Sequence, residues 1–297
     1  MYEPHWKFQV RPFDDTADER FFYSAPTHSE GLARLVYLVS QHRSGGCLIG
    51  PHGIGKTLLL RVAARACDER SAVVQLSAGP GDALTLVRRI SERLGISPET
   101  EDVPSALRNI ERACRHDLAQ NVLIVIDDAQ LLRDPAALDA LSFIAATMEA
   151  EGHCPTLLLA GTDELAANLP PAGAIGQRLQ LTWQLTPFSL AETAAYVRHR
   201  LTVAGRHEEI FDQASLYLLH EHSAGIPRLI NQLADLALLL GSLCNAPRID
   251  HGLMTRAIGE RRAPARAPDA GNKETPAAPA GEAGSKLETA AELYVWE

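Results

Sequence analysis

Gly50-Pro51-His52-Gly53-Ile54-Gly55-Lys56-Thr57 is the stretch on which the reading of this chain turns. It fits the pattern Gly, four residues of any kind, Gly, Lys, then Ser or Thr, which predicts a phosphate-binding loop. The glycines let successive backbone N–H groups converge on an anion. Lys56 has the reach to touch β- and γ-phosphates, and the Thr57 hydroxyl can ligate Mg²⁺. Residues 46–49 before the loop read as a short buried strand. Residues 57–66 after it, beginning with Thr57-Leu58, read as a helix whose N-terminus adds the positive end of its dipole. Strand, loop and helix in that order predict a nucleoside triphosphate held by Gly50 through Leu58.

Strand-like and helix-like stretches alternate on either side. Residues 29–42 carry Leu32, Leu35, Val36 and Val39 at helical spacing. After the loop, residues 72–76 read as a strand, and a helix capped by Asp82 runs to about residue 94, where Gly95 stops it. A helix over 104–117 precedes Val122-Leu123-Ile124-Val125-Ile126, the near-continuous apolar run of a central parallel strand. A helix over 135–150 and strands at 156–160 and 179–185 complete the pattern. The expected fold class is α/β, a P-loop NTPase parallel sheet sandwiched by helices. From Ser189 the strands cease. Helical patterns over 190–204, 212–222, 227–243 and 250–261 predict a small all-helical lid domain. Beyond Arg262 the composition shifts to Ala, Pro, Gly and charge, which predicts a disordered tail. Within the tail, residues 287–296 read either as a short amphipathic docking helix or as a loose end.

Residues 1–30 lack periodicity but hold Trp6, Phe8, Phe13, Phe21, Phe22 and Tyr23. They are expected to form an extended arm with its rings packed on the domain that follows. Two readings of the rings stay open: one of them borders a nucleotide base, or they form a satellite hydrophobic cluster. The predicted organisation is therefore an arm and first helix over 1–45, a nucleotide-binding core over 46–187, the lid over 188–262 and the tail over 263–297.

Bulk properties bound the function. With 297 residues, 46% of them hydrophobic, the chain can bury a sizeable core. A net charge of −9 argues against a mainly electrostatic grip on nucleic acid. Five cysteines scattered singly, without metal-site or redox spacing, suit a reducing compartment. No apolar run approaches the about 20 residues a membrane span needs, and no signal peptide opens the chain. The expected location is the cytoplasm.

Asp127 and Asp128 end the most apolar strand. An acid at that point faces the Mg²⁺ held by Thr57, so Asp127 is the expected metal partner. The next position is where many ATPases carry the Glu that polarises the attacking water. Here Asp128 is one methylene shorter, and misplacement of about 1 Å can cost on the order of 100-fold in rate. The competing reading of the pair is turn or helix-cap chemistry.

With these residues in view, the chain resembles the AAA+ ATPases of the general secretion pathway protein A (ExeA-like) family, related to the TniB-type transposition ATPases. The resemblance covers about residues 1–260. It rests on the opening residues 1–23, on Ile126-Asp127-Asp128-Ala129-Gln130, and on Gly225-Ile226-Pro227-Arg228-Leu229-Ile230-Asn231. It implies ATP and Mg²⁺ as cofactors. It implies that Thr162 is a polar sensor of the γ-phosphate, that Arg178 is an arginine finger for a neighbouring subunit's site, and that Arg228 is a second sensor in the lid. Two of these have plainer readings: Arg178 as a solvated strand-edge charge, Arg228 as a helix-start surface residue. Secretion-type members continue into a membrane span and a peptidoglycan-binding domain. The tail stands in their place here, which argues against direct cell-wall remodelling by this chain.

The leading functional expectation is an oligomeric ATPase that drives assembly or remodelling of an unidentified protein partner, in secretion, pilus or envelope assembly. A DNA-associated ATPase of the transposition-target-selector or replication-initiator type is the alternative, favoured by Thr162 and the helical lid and disfavoured by charge. A slow nucleotide-gated switch, suggested by Asp128, is the third.

Overall fold

The computed structural model describes residues 2–262 except 17, 80, 98–100, 117, 170 and 171. The tail expected over 263–297, and the helix considered at 287–296, lie outside the described residues. Residues 1–262 make one compact unit. In chain order, α1 (Glu3–Trp6) and α2 (Pro26–Ser40) lead to β1 (Gly45–Ile49) and α3 (Lys56–Ala64). Then come β2 (Ala72–Ser77), α4 (Ala83–Arg93), α5 (Val103–Cys114), β3 (Asn121–Asp127) and α6 (Pro135–Ala150). After β4 (Cys154–Gly161), two short helices, α7 (Asp163–Asn168) and α8 (Ala174–Arg178), precede β5 (Leu181–Gln184). Four helices follow: α9 (Leu190–Val203), α10 (Gln213–Ser223), α11 (Pro227–Leu243) and α12 (His251–Arg262).

The five strands form one sheet in the order β2-β3-β4-β1-β5, with every neighbouring pair parallel. Period-two alternation sorts the residues of β3 onto two faces. Val122, Ile124 and Ile126 join a core with α4, α5 and α6, while Leu123 and Val125 face the opposite core with α2 and α3. Burial on both faces is why β3 is apolar throughout, and each large aliphatic buried there is worth about 1.5–3 kcal/mol. Register places the ends of β1, β3 and β4 side by side, Ile49 beside Gly161 and Ile126 beside Leu159. The phosphate loop and the Asp127–Asp128 pair therefore emerge at the same edge of the sheet, as parallel strands require of segments at their carboxyl ends.

Local chemistry fixes the helix boundaries. Asp134 accepts from Ala136 N at 3.0 Å to start α6, with Pro135 at its first position. Ser189 and Glu192 form a reciprocal capping box on α9. Helix α2 begins at Pro26, three residues ahead of the start expected at 29, because Pro26 occupies the first helical position and supplies the pre-set φ.

The arm departs from expectation in kind. It holds a short helix and a 3₁₀ turn over Glu19–Phe21, and while Phe22 packs on the sheet domain as expected, most of its rings do not. Tyr2, Trp6, Phe8 and Phe13 are buried with α9–α12 in a third core. Trp6 Nε1 donates to Leu238 O at 2.9 Å, and Phe13 meets Phe211 edge-on at 6.1 Å. Each of these four rings is left no more than 9% exposed there, and that apolar burial holds the arm against α9–α12. The cavity described below is reached from the arm by Asp15 and Thr16.

Candidate functional site

Gly55 forms the N-cap of α3 and offers no side chain to cap it. The first helical backbone bond runs from Leu59 N to Gly55 O at 3.0 Å, so the N–H groups of Lys56, Thr57 and Leu58 precede it. Such a helix start is a ready anion site. Lys56 is 5% exposed, and its ammonium folds back on the loop, donating to Gly50 O at 2.8 Å and Pro51 O at 3.1 Å. Burial lowers the Lys56 pKa from the usual lysine range, against the opposing pull of Asp127 and Asp128.

At the tip of β3, Asp127 is 6% exposed and both its oxygens are engaged. Oδ2 accepts from Thr57 Oγ1 at 2.5 Å and Oδ1 accepts from Asp128 N at 2.9 Å. Asp128 follows with φ +53°, in the left-handed region that Asp tolerates better than most residues. Gln130, 6% exposed, ties two candidate residues together: its Nε2 donates to Asp128 Oδ1 at 3.3 Å and its Oε1 accepts from Thr162 N at 3.3 Å. The Thr162 hydroxyl oxygen is buried with no hydrogen-bond partner.

The fourth wall comes from α11. Its N-cap, Ile226, carries no capping oxygen. Instead Arg228 N donates to Gly53 O at 3.1 Å, so the loop satisfies one of the orphan donors of the helix. The Arg228 side chain is half exposed, with Nε 3.5 Å from Asp15 Oδ2. Between these walls lies a cavity of about 230 Å³. His52, Gly53, Gly55, Lys56, Thr57 and Leu58 line it from the loop. Asp128 and Arg228 reach it from β3 and α11. Gly50, Pro51 and Ile54 stand behind the wall: the first two give their carbonyls to Lys56, and the Ile54 side chain is fully buried in the core. Behind Ile54, His28 of α2 sets the loop in place through Nε2 to Ile54 O at 2.8 Å. Since a carbonyl only accepts, Nε2 carries the proton.

Besides Gly50, Pro51 and Ile54, three expected site residues are not among those lining the cavity: Asp127, which meets it through Thr57, Thr162 and Arg178. Thr162 connects to it through Gln130. Arg178, the last residue of α8, forms a two-pronged ion pair with Glu149 of α6, at 2.5 and 2.9 Å. Other lining residues were not read from sequence: Asp15 and Thr16 of the arm, Tyr196 and Arg200 of α9, and Asn231 of α11. Asn231 ends the Gly225–Asn231 motif without being singled out by it, and no short motif marks the other four, although the aromatic-rich arm borders Asp15 and Thr16.

The residues fit a nucleotide phosphate chain and a divalent cation. Among the described residues no group of three or more His, Cys, Asp or Glu could hold a metal by itself. A cation here would take Thr57 and Asp127 and complete its shell with phosphate and water oxygens, as Mg²⁺ does. Among the described residues buried Lys56 forms no ion pair, and a phosphate would supply the missing anion.

A loop after β1, acids after β3 and a strand order of 2-3-4-1-5 are AAA+ architecture, and the chain has the fold of the AAA+ P-loop NTPases. The AAA domain family model matches residues 39–169. Over 268 residues, 88% of this chain, it is 28% identical to general secretion pathway protein A of Aeromonas hydrophila, to which it is related. The chain spans about half, 48%, of that relative's length. Among solved structures, the fold matches the Aeropyrum pernix ORC1 protein in complex with DNA (TM-score 0.66, 18% identity, 86% of this chain and 70% of that one). It also matches the ORC2 protein of the same organism in its ADPNP–ADP complexes (TM-score 0.65, 14% identity, 85% and 72%). The fold and the AAA domain match over residues 39–169 together point to nucleotide binding. No helix among the described residues is long and apolar enough to cross a membrane.

Proposed function

We propose that this chain binds Mg-ATP in the cavity between the phosphate loop and α11, hydrolyses it, and uses the nucleotide state to drive assembly or remodelling of a protein partner. The observation that carries the reading is the contact of Arg228 N with Gly53 O: the helical region bears directly on the loop, so a change at the phosphates changes how α11 sits. In this reading residues 46–187 act as the nucleotide-binding core and 188–262 as its lid. Lys56 and the first-turn N–H groups of α3 hold the β- and γ-phosphates, and Thr57 and Asp127 hold Mg²⁺, which supplies charge neutralisation when bound. Asp128 orients water, Thr162 steadies it through Gln130, and Arg228 reads the terminal phosphate from the lid. Asp128 has the shorter reach, and turnover is correspondingly slow. Arg178 serves the site of a second copy, for which it must leave Glu149.

The related protein's name supports placing the partner in secretion or envelope assembly, and five free cysteines support a reducing, cytoplasmic location. Steady-state ATP hydrolysis measured against protein concentration, with and without Mg²⁺ and duplex DNA, tests the proposal. Mg²⁺-dependent turnover whose specific activity rises with concentration is expected. Absence of ATP binding would overturn the site. Stimulation by DNA would replace the secretion reading with the DNA-associated one.

A further inference from the structure

Arg200 is a cation buried to 4% exposure in the middle of α9, and among the described residues it forms no ion pair. Its guanidinium lies over the Phe21 ring at 4.4 Å. Nε donates to Pro12 O at 2.5 Å and Nη2 to Asp14 O at 3.0 Å, so Arg200 clasps the arm immediately before Asp15 and Thr16, which line the cavity. Nη1 donates to the Tyr196 hydroxyl at 2.8 Å. That hydroxyl donates in turn to Asn231 Oδ1 at 2.9 Å. Tyr196 and Asn231 are each 5% exposed, and both line the cavity with Arg200.

The direction of this chain is fixed by chemistry. A guanidinium only donates, so the Tyr196 oxygen must accept from it and pass its own proton onward. Asn231 must then present its carbonyl oxygen to Tyr196, which leaves its amide NH₂ pointing the other way. Among the described residues that NH₂ donates to no protein group. The two free donors of a largely buried side chain are thus held at the cavity wall, aimed where a bound acceptor would replace solvent.

We propose that Asn231 is a nucleotide-contacting residue, its amide donating to a sugar or phosphate oxygen of the bound nucleotide, and that Tyr196 and Arg200 are positioning residues that hold the amide in that orientation. Since Arg200 also clasps the arm, the same relay couples nucleotide contact to the placing of Asp15 and Thr16. The assignment rests on the nucleotide-site reading above and names a donor that the phosphate-loop motif does not contain.

Calorimetric titration of the full chain with Mg-ATP tests it, using Asn231→Ala, Tyr196→Phe, the double variant and Lys56→Ala. Loss of one oriented donor predicts about tenfold weaker binding for Asn231→Ala and for Tyr196→Phe, and about tenfold, not a hundredfold, for the double variant. Additive losses would show that Tyr196 acts elsewhere and overturn the relay. Wild-type affinity in Asn231→Ala, with Lys56→Ala unable to bind, would overturn this inference and leave the site standing. Wild-type affinity in Lys56→Ala would overturn the site itself. Asn231→Asp, which keeps the acceptor for Tyr196 and loses both donors, covers the case in which the alanine variant misfolds; it should weaken binding at least as much, and wild-type affinity there would equally overturn the inference. Dideoxy-ATP separates the two oxygen sources. Binding to the wild-type protein as weakly as ATP binds Asn231→Ala assigns the acceptor to the ribose, and binding as tightly as ATP assigns it to phosphate.

Discussion

Arg228 N donates to the carbonyl of Gly53 at 3.1 Å, joining the first turn of α11 to the middle of the phosphate loop. The contact is possible because Gly53 has no side chain. Its φ is +79°, and a Cβ there would come within 2.7 Å of the Arg228 Cβ. Gly53→Ala should therefore strain the loop and push α11 away at once. About 1–2 kcal/mol of stability should go with the left-handed φ alone, visible as a lower denaturation midpoint. ATP affinity should fall with it, and unchanged affinity would mean that the loop and α11 do not act as a unit.

Asp127 accepts from the Thr57 hydroxyl in the structure, and both are assigned to Mg²⁺. Asp127→Asn keeps the size and removes the charge. Titrations should show ATP binding without Mg²⁺ little changed and the Mg²⁺-dependent gain lost. A full Mg²⁺ effect in this variant would move the cation elsewhere.

Asp128 sits at φ +53° with its carboxylate on Gln130. Asp128→Asn should retain ATP binding and lower turnover by about 100-fold if the carboxylate orients water. Turnover equal to that of the wild-type protein would make Asp128 a turn residue and nothing more.

Arg178 and Glu149 form an ion pair with Glu149 substantially exposed, so breaking it should cost less than about 1 kcal/mol. Arg178→Ala should nevertheless reduce turnover by about 10³-fold in concentrated protein, as loss of an arginine finger does. Glu149→Ala should have the opposite effect, freeing Arg178 and raising turnover at low protein concentration. If both variants turn over normally, the pair is structural.

Burial lowers the pKa of His28 below the usual 6.5. The unfolded chain then binds the proton more readily than the folded one, so stability from this group is present above 6.5 and lost as pH falls through the lower folded value. His199 is shifted the same way by burial and by neighbouring Arg200. Denaturation midpoints should begin to drop as pH falls below about 6.5, before the usual carboxylate range is reached. His28→Gln, which keeps a donor for Ile54 O, should flatten part of that slope, and an unchanged slope would exclude His28 as its source.

Much of the fold was legible because its signals are local. An apolar run of five at 122–126 means burial on both faces wherever it lies. Pro135 after Asp134, and Pro227 before a helical apolar stripe, set helix starts through the geometry of one or two residues, and α6 and α11 have the bounds read for them. Helices α7 and α8 were missed, since helices of six and five residues are too short for a periodic pattern to emerge.

By itself, then, the sequence determined the phosphate loop, the alternation of the five strands with the longer helices, and the acids that end β3. Each of these follows from residue type and spacing along a few neighbouring positions. Tertiary structure alone decided where the arm's rings go, that Arg178 lies on Glu149, and that Arg200, Tyr196 and Asn231 form a directed chain at the cavity wall. Those contacts join residues far apart in the chain, from Pro12 to Arg200 and from Trp6 to Leu238. No local pattern encodes them, because their energy comes from burial and hydrogen bonding that exist only once the helices have closed around the arm.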